Sequence, residues 1–131
     1  MARKIITPGQ LPQTMGPYSH CVVGEGSKLV FISGQVPQNA NGQLVGRGDI
    51  AAQTRQVLAN IRAAIEAAGG TVRDINKITI FMVELDAAAY AAVAQARREF
   101  FHGEYPASTL VQVKSLASPD WLIEIEAYAV I

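Results

Sequence analysis

The amino-acid sequence predicts one α+β domain over residues 1–131. It has a mixed sheet of roughly six strands with two helices packed on one face, in the order β-β-β-α-β-α-β-β. Three observations carry this. The last stretch, 121–131, alternates with period two: Ile123, Ile125, Ala127, Ala129 and Ile131 fall on one side, and Leu122, Glu124, Glu126, Tyr128 and Val130 on the other. Two long stretches, behind Asp49 and behind Asp86, instead place apolar residues at helical spacing. Finally, two helices cannot cover both faces of so wide a sheet, so they pack on one and leave the other open.

In chain order, 4–7 reads as a short edge strand closed by Pro8-Gly9, and 11–17 as a loop rich in Pro and Gly. Residues 18–24 and 28–34 read as strands, with hairpin chemistry in Gly24-Glu25-Gly26-Ser27. A loop over 36–48 contains the turn signal Asn41-Gly42. Asp49 suits an N-cap for a helix over 50–68, whose stripe is Ile50, Thr54, Val57, Leu58, Ile61 and Ile65; Gly69-Gly70 ends it. Residues 77–84 form a strand that, with 28–34 and the intervening helix, makes a crossover unit if the strands are parallel. Asp86 caps a second helix through Phe101, with Tyr90, Val93, Arg97, Phe100 and Phe101 near one face, and His102-Gly103 closes it. Strands over 107–113 and 121–131, joined by Ala117-Ser118-Pro119-Asp120, finish the chain.

The totals narrow the class. Lys+Arg and Asp+Glu are 11 each, so the formal net charge is zero and the basic excess of a nucleic-acid binder is missing. A single cysteine excludes an internal disulfide and a cysteine-only metal site. No apolar run reaches the ~18 residues of a membrane span, and the start has no secretory apolar core, so the expectation is a soluble cytoplasmic protein. No zinc spacing, phosphate loop or dinucleotide fingerprint is present, and nothing calls for a metal or cofactor.

Candidate chemistry starts on the last strand. Its second face mixes two carboxylates with bulky apolar groups, too apolar to be wet and too acidic for a sealed core. Such a face fits cover by another subunit, with a polar site in the seam and a closed homo-oligomer as the consequence. Glu124 there is either a general base that orients a water or a rim salt-bridge partner, and Glu126 shares its face. His20 and Cys21 are adjacent strand residues and point apart, so Cys21 reads as a small core hydrophobe. Ser33 and Gly34 offer a hydroxyl and bare backbone at a strand end, or simply a turn. Tyr18, after Gly16-Pro17, is a rigid aromatic wall or core.

Taken together, several segments resemble the RidA/YjgF imine-deaminase family, also called the L-PSP ribonuclease-type family. They are Gly16-Pro17-Tyr18, Phe31-Ile32-Ser33-Gly34-Gln35, Ala51-Ala52-Gln53-Thr54-Arg55-Gln56 and Leu58-Ala59-Asn60-Ile61. Glu66-Ala67-Ala68-Gly69, Tyr105-Pro106-Ala107 and Ile123-Glu124-Ile125-Glu126-Ala127 complete the set. The resemblance implies a chorismate-mutase-like fold, a homotrimer with clefts between subunits, and hydrolysis of enamines or imines such as 2-aminoacrylate to a ketoacid and ammonia. By the same resemblance Tyr18 walls the cleft, Ser33 sits by the substrate with Gly34, and Glu124 positions the attacking water. The family's deaminases place an arginine after Pro-Ala to grip the substrate carboxylate, and here that position is Ser108. A cysteine common two positions later is Leu110, and an asparagine of the second helix is Ala94.

A serine cannot reproduce a bidentate guanidinium, and losing such a contact at a buried site costs about 2–5 kcal/mol. Lys114 shares the strand parity of Ser108 but lies about 20 Å further along. The substrate is then either another enamine or imine, or is held by another cation. Three readings stand: a deaminase-type hydrolase inefficient on 2-aminoacrylate, a non-catalytic trimer that binds a small molecule, and an RNA-cleaving or translation-inhibiting protein. The last is disfavoured by the neutral charge and by the lack of a basic–aromatic stripe.

Overall fold

The structure, a computed structural model, describes residues 3–131. Six strands and two helices follow in the expected order: β1 (Arg3–Ile6), β2 (Cys21–Gly24), β3 (Leu29–Gln35), α1 (Ile50–Ala67), β4 (Ile75–Met82), α2 (Ala87–Phe101), β5 (Ala107–Gln112) and β6 (Ile123–Val130). They form two sheets, a β1–β2 ribbon and a four-stranded sheet in the order β3-β6-β4-β5. β6 runs antiparallel to both its neighbours, and β4 and β5 are parallel. β3 and β4 are therefore parallel to each other with β6 inserted between them, so the crossover through α1 skips one strand. The two C-terminal strands are not a hairpin, since they flank β4 on opposite sides.

Both helices begin where the sequence places their caps. The Asp49 carboxylate accepts from the Ala52 N–H at 3.1 Å and that of Asp86 from Ala89 at 2.7 Å, each satisfying an orphan donor of the first turn. α2 ends with His102 in the left-handed region (φ 54°) followed by Gly103, also at positive φ, which turns the chain toward β5. Val57, Leu58, Ile61 and Ile65 of α1, with Val93, Ala96 and Phe101 of α2, bury one face of the sheet. From that face Ile32, Ile78, Ile80, Ile123, Ile125, Ala127 and Ala129 meet them. Each isoleucine buried there contributes about 1.5–3 kcal/mol.

The opposite face is open. Leu29 and Phe31 on β3 are 70% and 71% exposed, with Tyr128 beside them on β6 and Val111 on the far edge strand β5 of the same surface. Phe31 and Tyr128 meet edge to face across the β3–β6 ladder at 5.9 Å.

Two expectations fail here. Gly24-Glu25-Gly26-Ser27 does not join paired strands: β2 pairs with β1, and the Ser27 and Lys28 N–H groups donate instead to the Ile131 carbonyl. Turn chemistry fixes a change of direction, while the choice of neighbour depends on long-range packing. The loop before β2 meets the main sheet at Ser19 beside Ala107, and β2 itself at Gly24 beside Asn76 and Val130, along the end where β4 and β5 start and β6 finishes. Cys21 is consequently exposed and not core, because a two-stranded ribbon buries only one side of β2.

Candidate active site

The sequence-predicted residues gather in two places. The first is on the open face. Phe81 pairs with Glu124, and Thr79 with Glu126, so both carboxylates project away from the helices, as strand parity requires. The β3–β6 register is irregular between Ile32 and Gln35, and Ser33 and Gly34 occupy that irregularity. Local departures of this kind re-aim side chains and recur beside functional sites.

The reason for a glycine at 34 is Glu124. A Cβ there would run into its carboxylate, with Cδ at 2.8 Å and Cγ at 3.0 Å. The bare backbone thus seats the Glu124 side chain beside the exposed Ser33. Glu126, by contrast, accepts a hydrogen bond from the Tyr128 hydroxyl at 3.1 Å.

Next to this seat lies a groove of about 410 Å³ lined by Gly34, Val36, Gln38, Asn39 and Asn60. Asn60 donates to the carbonyls of Val36 (3.1 Å) and Gln38 (2.9 Å), tying the loop after β3 to α1. Gln53, fully buried, does the same on the other side. Its amide N–H groups reach the carbonyls of Gly46 and Asp120, and its carbonyl oxygen accepts from the Leu122 N–H at 2.8 Å. That bond fixes the entry into β6 two residues before Glu124. By sequence these amides fall outside the apolar stripe of α1. They act as braces for the backbone around Glu124, and their place beside buried Thr54 and Val57 was the available signal.

The second cluster is a cleft of about 390 Å³ lined by Met15, Tyr18, Leu85, Tyr90, Arg97, Ser108 and Leu110. Tyr18 is not in a strand. It sits in the loop before β2, its ring edge-on to His20 at 5.8 Å, while His20 donates through Nε2 to the Pro12 carbonyl. Ser108 pairs with Ile78, a buried helix-side residue, so its hydroxyl faces α2. Within one chain Ser108 and Tyr18 therefore do not converge with Glu124, Ser33 and Gly34; the sheet separates them.

The cation missing at position 108 has a neighbour that sequence reasoning passed over. Arg97 of α2, 1% exposed, approaches the Ser108 hydroxyl through a guanidinium N–H at 3.4 Å and lies 5.9 Å from the Tyr90 ring centroid. Burial lowers its pKa from the ordinary arginine value, an effect that the nearby Tyr90 hydroxyl partly offsets. Its place among Val93, Phe100 and Phe101 on the apolar side of α2 was the clue. Among the described residues no group of three or more His, Cys, Asp or Glu could hold a metal ion, and no helix is long and apolar enough to cross a membrane.

The family model described as endoribonuclease L-PSP matches residues 8–131. The 3-aminoacrylate deaminase RutC of Acinetobacter baylyi is 39% identical over 129 residues, 98% of each chain. The backbone superposes on the crystal structure of a Rid family protein, YyfB of Yersinia pestis, with a TM-score of 0.93 at 38% identity over 100% of both chains. It also superposes on Escherichia coli TdcF crystallised with bound serine, with a TM-score of 0.71 at 35% identity over 98% of each chain.

Proposed function

Since the chain belongs to the L-PSP endoribonuclease family, the Rid/RutC/YjgF group, we propose that it is a hydrolytic deaminase of small enamines or imines. It works in clefts between the subunits of a homotrimer. The observation that carries this reading is the Glu124 carboxylate seated over Gly34 beside the exposed Ser33. RutC, named for deamination of an aminoacrylate, and TdcF, with an amino acid bound, support a substrate of amino-acid size. The two clusters lie on opposite faces of one sheet. The reading therefore joins the Glu124 half of one subunit to the Tyr18–Ser108 half of the next, and the exposed apolar face of β3 and β6 is the surface they share.

The chemistry needs little machinery. An enamine takes a proton on carbon and gives one up from nitrogen, and so becomes an imine. Water then adds to the imine carbon, Glu124 taking one of its protons and passing it to nitrogen. The resulting carbinolamine expels ammonia and leaves a carbonyl. Water supplies the oxygen and no electrons are transferred.

Glu124→Gln tests this. The amide fills the same space over Gly34 but cannot take a proton, so ammonia release should fall by roughly tenfold or more. Circular dichroism and elution volume should stay those of the wild type. Unchanged turnover in a folded variant would leave Glu124 a structural residue and hand the cleft to a binding-only role.

A further inference from the structure

Arg97 is a buried cation without a matching anion. Its Nε has no hydrogen-bond partner, and among the described residues no carboxylate forms an ion pair with it. A guanidinium is not deprotonated in proteins, and a buried charge left unpaired is costly, so a structure that keeps one holds it for something that arrives. The cleft it lines opens past Ser108, which is half-exposed where Arg97 is not. The Ser108 hydroxyl accepts from Arg97 and so keeps its own hydrogen to donate outward. The remaining walls, Met15, Tyr18, Leu85 and Leu110, are mostly apolar.

We propose that Arg97 and Ser108 together form the anion-holding end of this cleft, and that the substrate is a small organic carboxylate with Ser108 as the direct donor and Arg97 as the charge behind it. The inference rests on the deaminase reading for the word substrate and on the cleft alone for the anion. One guanidinium and one hydroxyl suit a singly charged carboxylate better than a phosphate, which takes several donors. The pair also explains the residue at 108. An arginine there would set a second guanidinium against the first, so the cation comes from α2 and β5 contributes a small hydroxyl.

The test compares pyruvate, the ketoacid left by hydrolysis of 2-aminoacrylate, with its neutral amide, each titrated into the whole protein by calorimetry. Wild type should bind pyruvate roughly tenfold more tightly than pyruvamide. Arg97→Met should erase that preference by weakening pyruvate alone, and Arg97→Lys should keep part of it. A folded Arg97→Met that still prefers pyruvate overturns the proposal. So does a wild type that fails to discriminate or that binds inorganic phosphate more tightly, results that need no variant. Should Arg97→Met not fold, Ser108→Ala leaves the guanidinium in place and should weaken pyruvate about threefold or more; no change there counts against the site. Glu124→Gln separates the two claims. Pyruvate preference kept while turnover is lost agrees with both, and preference kept with turnover also unchanged removes the deaminase reading and leaves the anion site standing.

Discussion

Gly34 separates positioning from stability more cleanly than any other residue of this chain. Its backbone is not in the left-handed region, so alanine is tolerated conformationally. What the added methyl meets is the end of the Glu124 side chain, which can swing away. Gly34→Ala should therefore leave the thermal midpoint within about 5 °C of wild type, as expected for a change of under about 1.5 kcal/mol. Activity should fall by roughly tenfold or more because the carboxylate leaves its seat. Calorimetry and an ammonia assay on the same preparation decide it, and a variant equally stable and equally active would detach catalysis from that seat.

At the scale of elements, the helices are braces as much as cover. Gln53 is a polar residue completely inside the molecule, and it satisfies three backbone groups in two loops. Gln53→Leu keeps the volume and leaves those groups unpaired, at a cost of about 2–4 kcal/mol. The thermal midpoint should drop by about 8–15 °C in a domain of this size. A drop of only about 2 °C would mean that water takes over the bonds. The elements themselves were legible in the sequence wherever the signal is local. Asp49 and Asp86 cap where expected, and the parity of β6 puts Ile123, Ile125 and Ala127 inside and Glu124 outside. Strand neighbours were not legible, because pairing is decided by residues far apart in sequence; hence the misread hairpin at 24–27 and the exposed Cys21. The candidate site was half legible. Motifs marked Glu124, Ser33, Gly34, Tyr18 and Ser108, but which side of the sheet Ser108 faces, and that Arg97 stands behind it, depend on how β5 and α2 pack.

At the scale of the whole molecule, one face of the sheet exposes Leu29, Phe31, Val111 and Tyr128, and the proposed trimer would cover it. Phe31 lies on the edge strand β3 of that face, exposed and edge to face with Tyr128 of the same surface. A charge there should cost the folded subunit little and block its burial against a neighbour. Phe31→Asp should therefore elute as a folded monomer of 14.0 kDa, with wild type near three times that mass by light scattering, and the monomer should be inactive. An active monomer would place both halves of the site within one chain after all.

The sheet that divides the two clusters turns the protein's genetics into arithmetic. If each working site borrows one wall from each of two subunits, a chain damaged in one wall still lends its sound one to the next. Two impaired variants, Glu124→Gln and Tyr18→Ala, denatured together in equal amounts and refolded, should then rescue one another. In a randomly mixed ring about a quarter of the seams draw both sound walls, so about a quarter of the wild-type rate should return. Either variant refolded alone should stay at its own low rate, and a mixture of properly assembled rings no faster than its parents would show that the seam is not where the reaction happens.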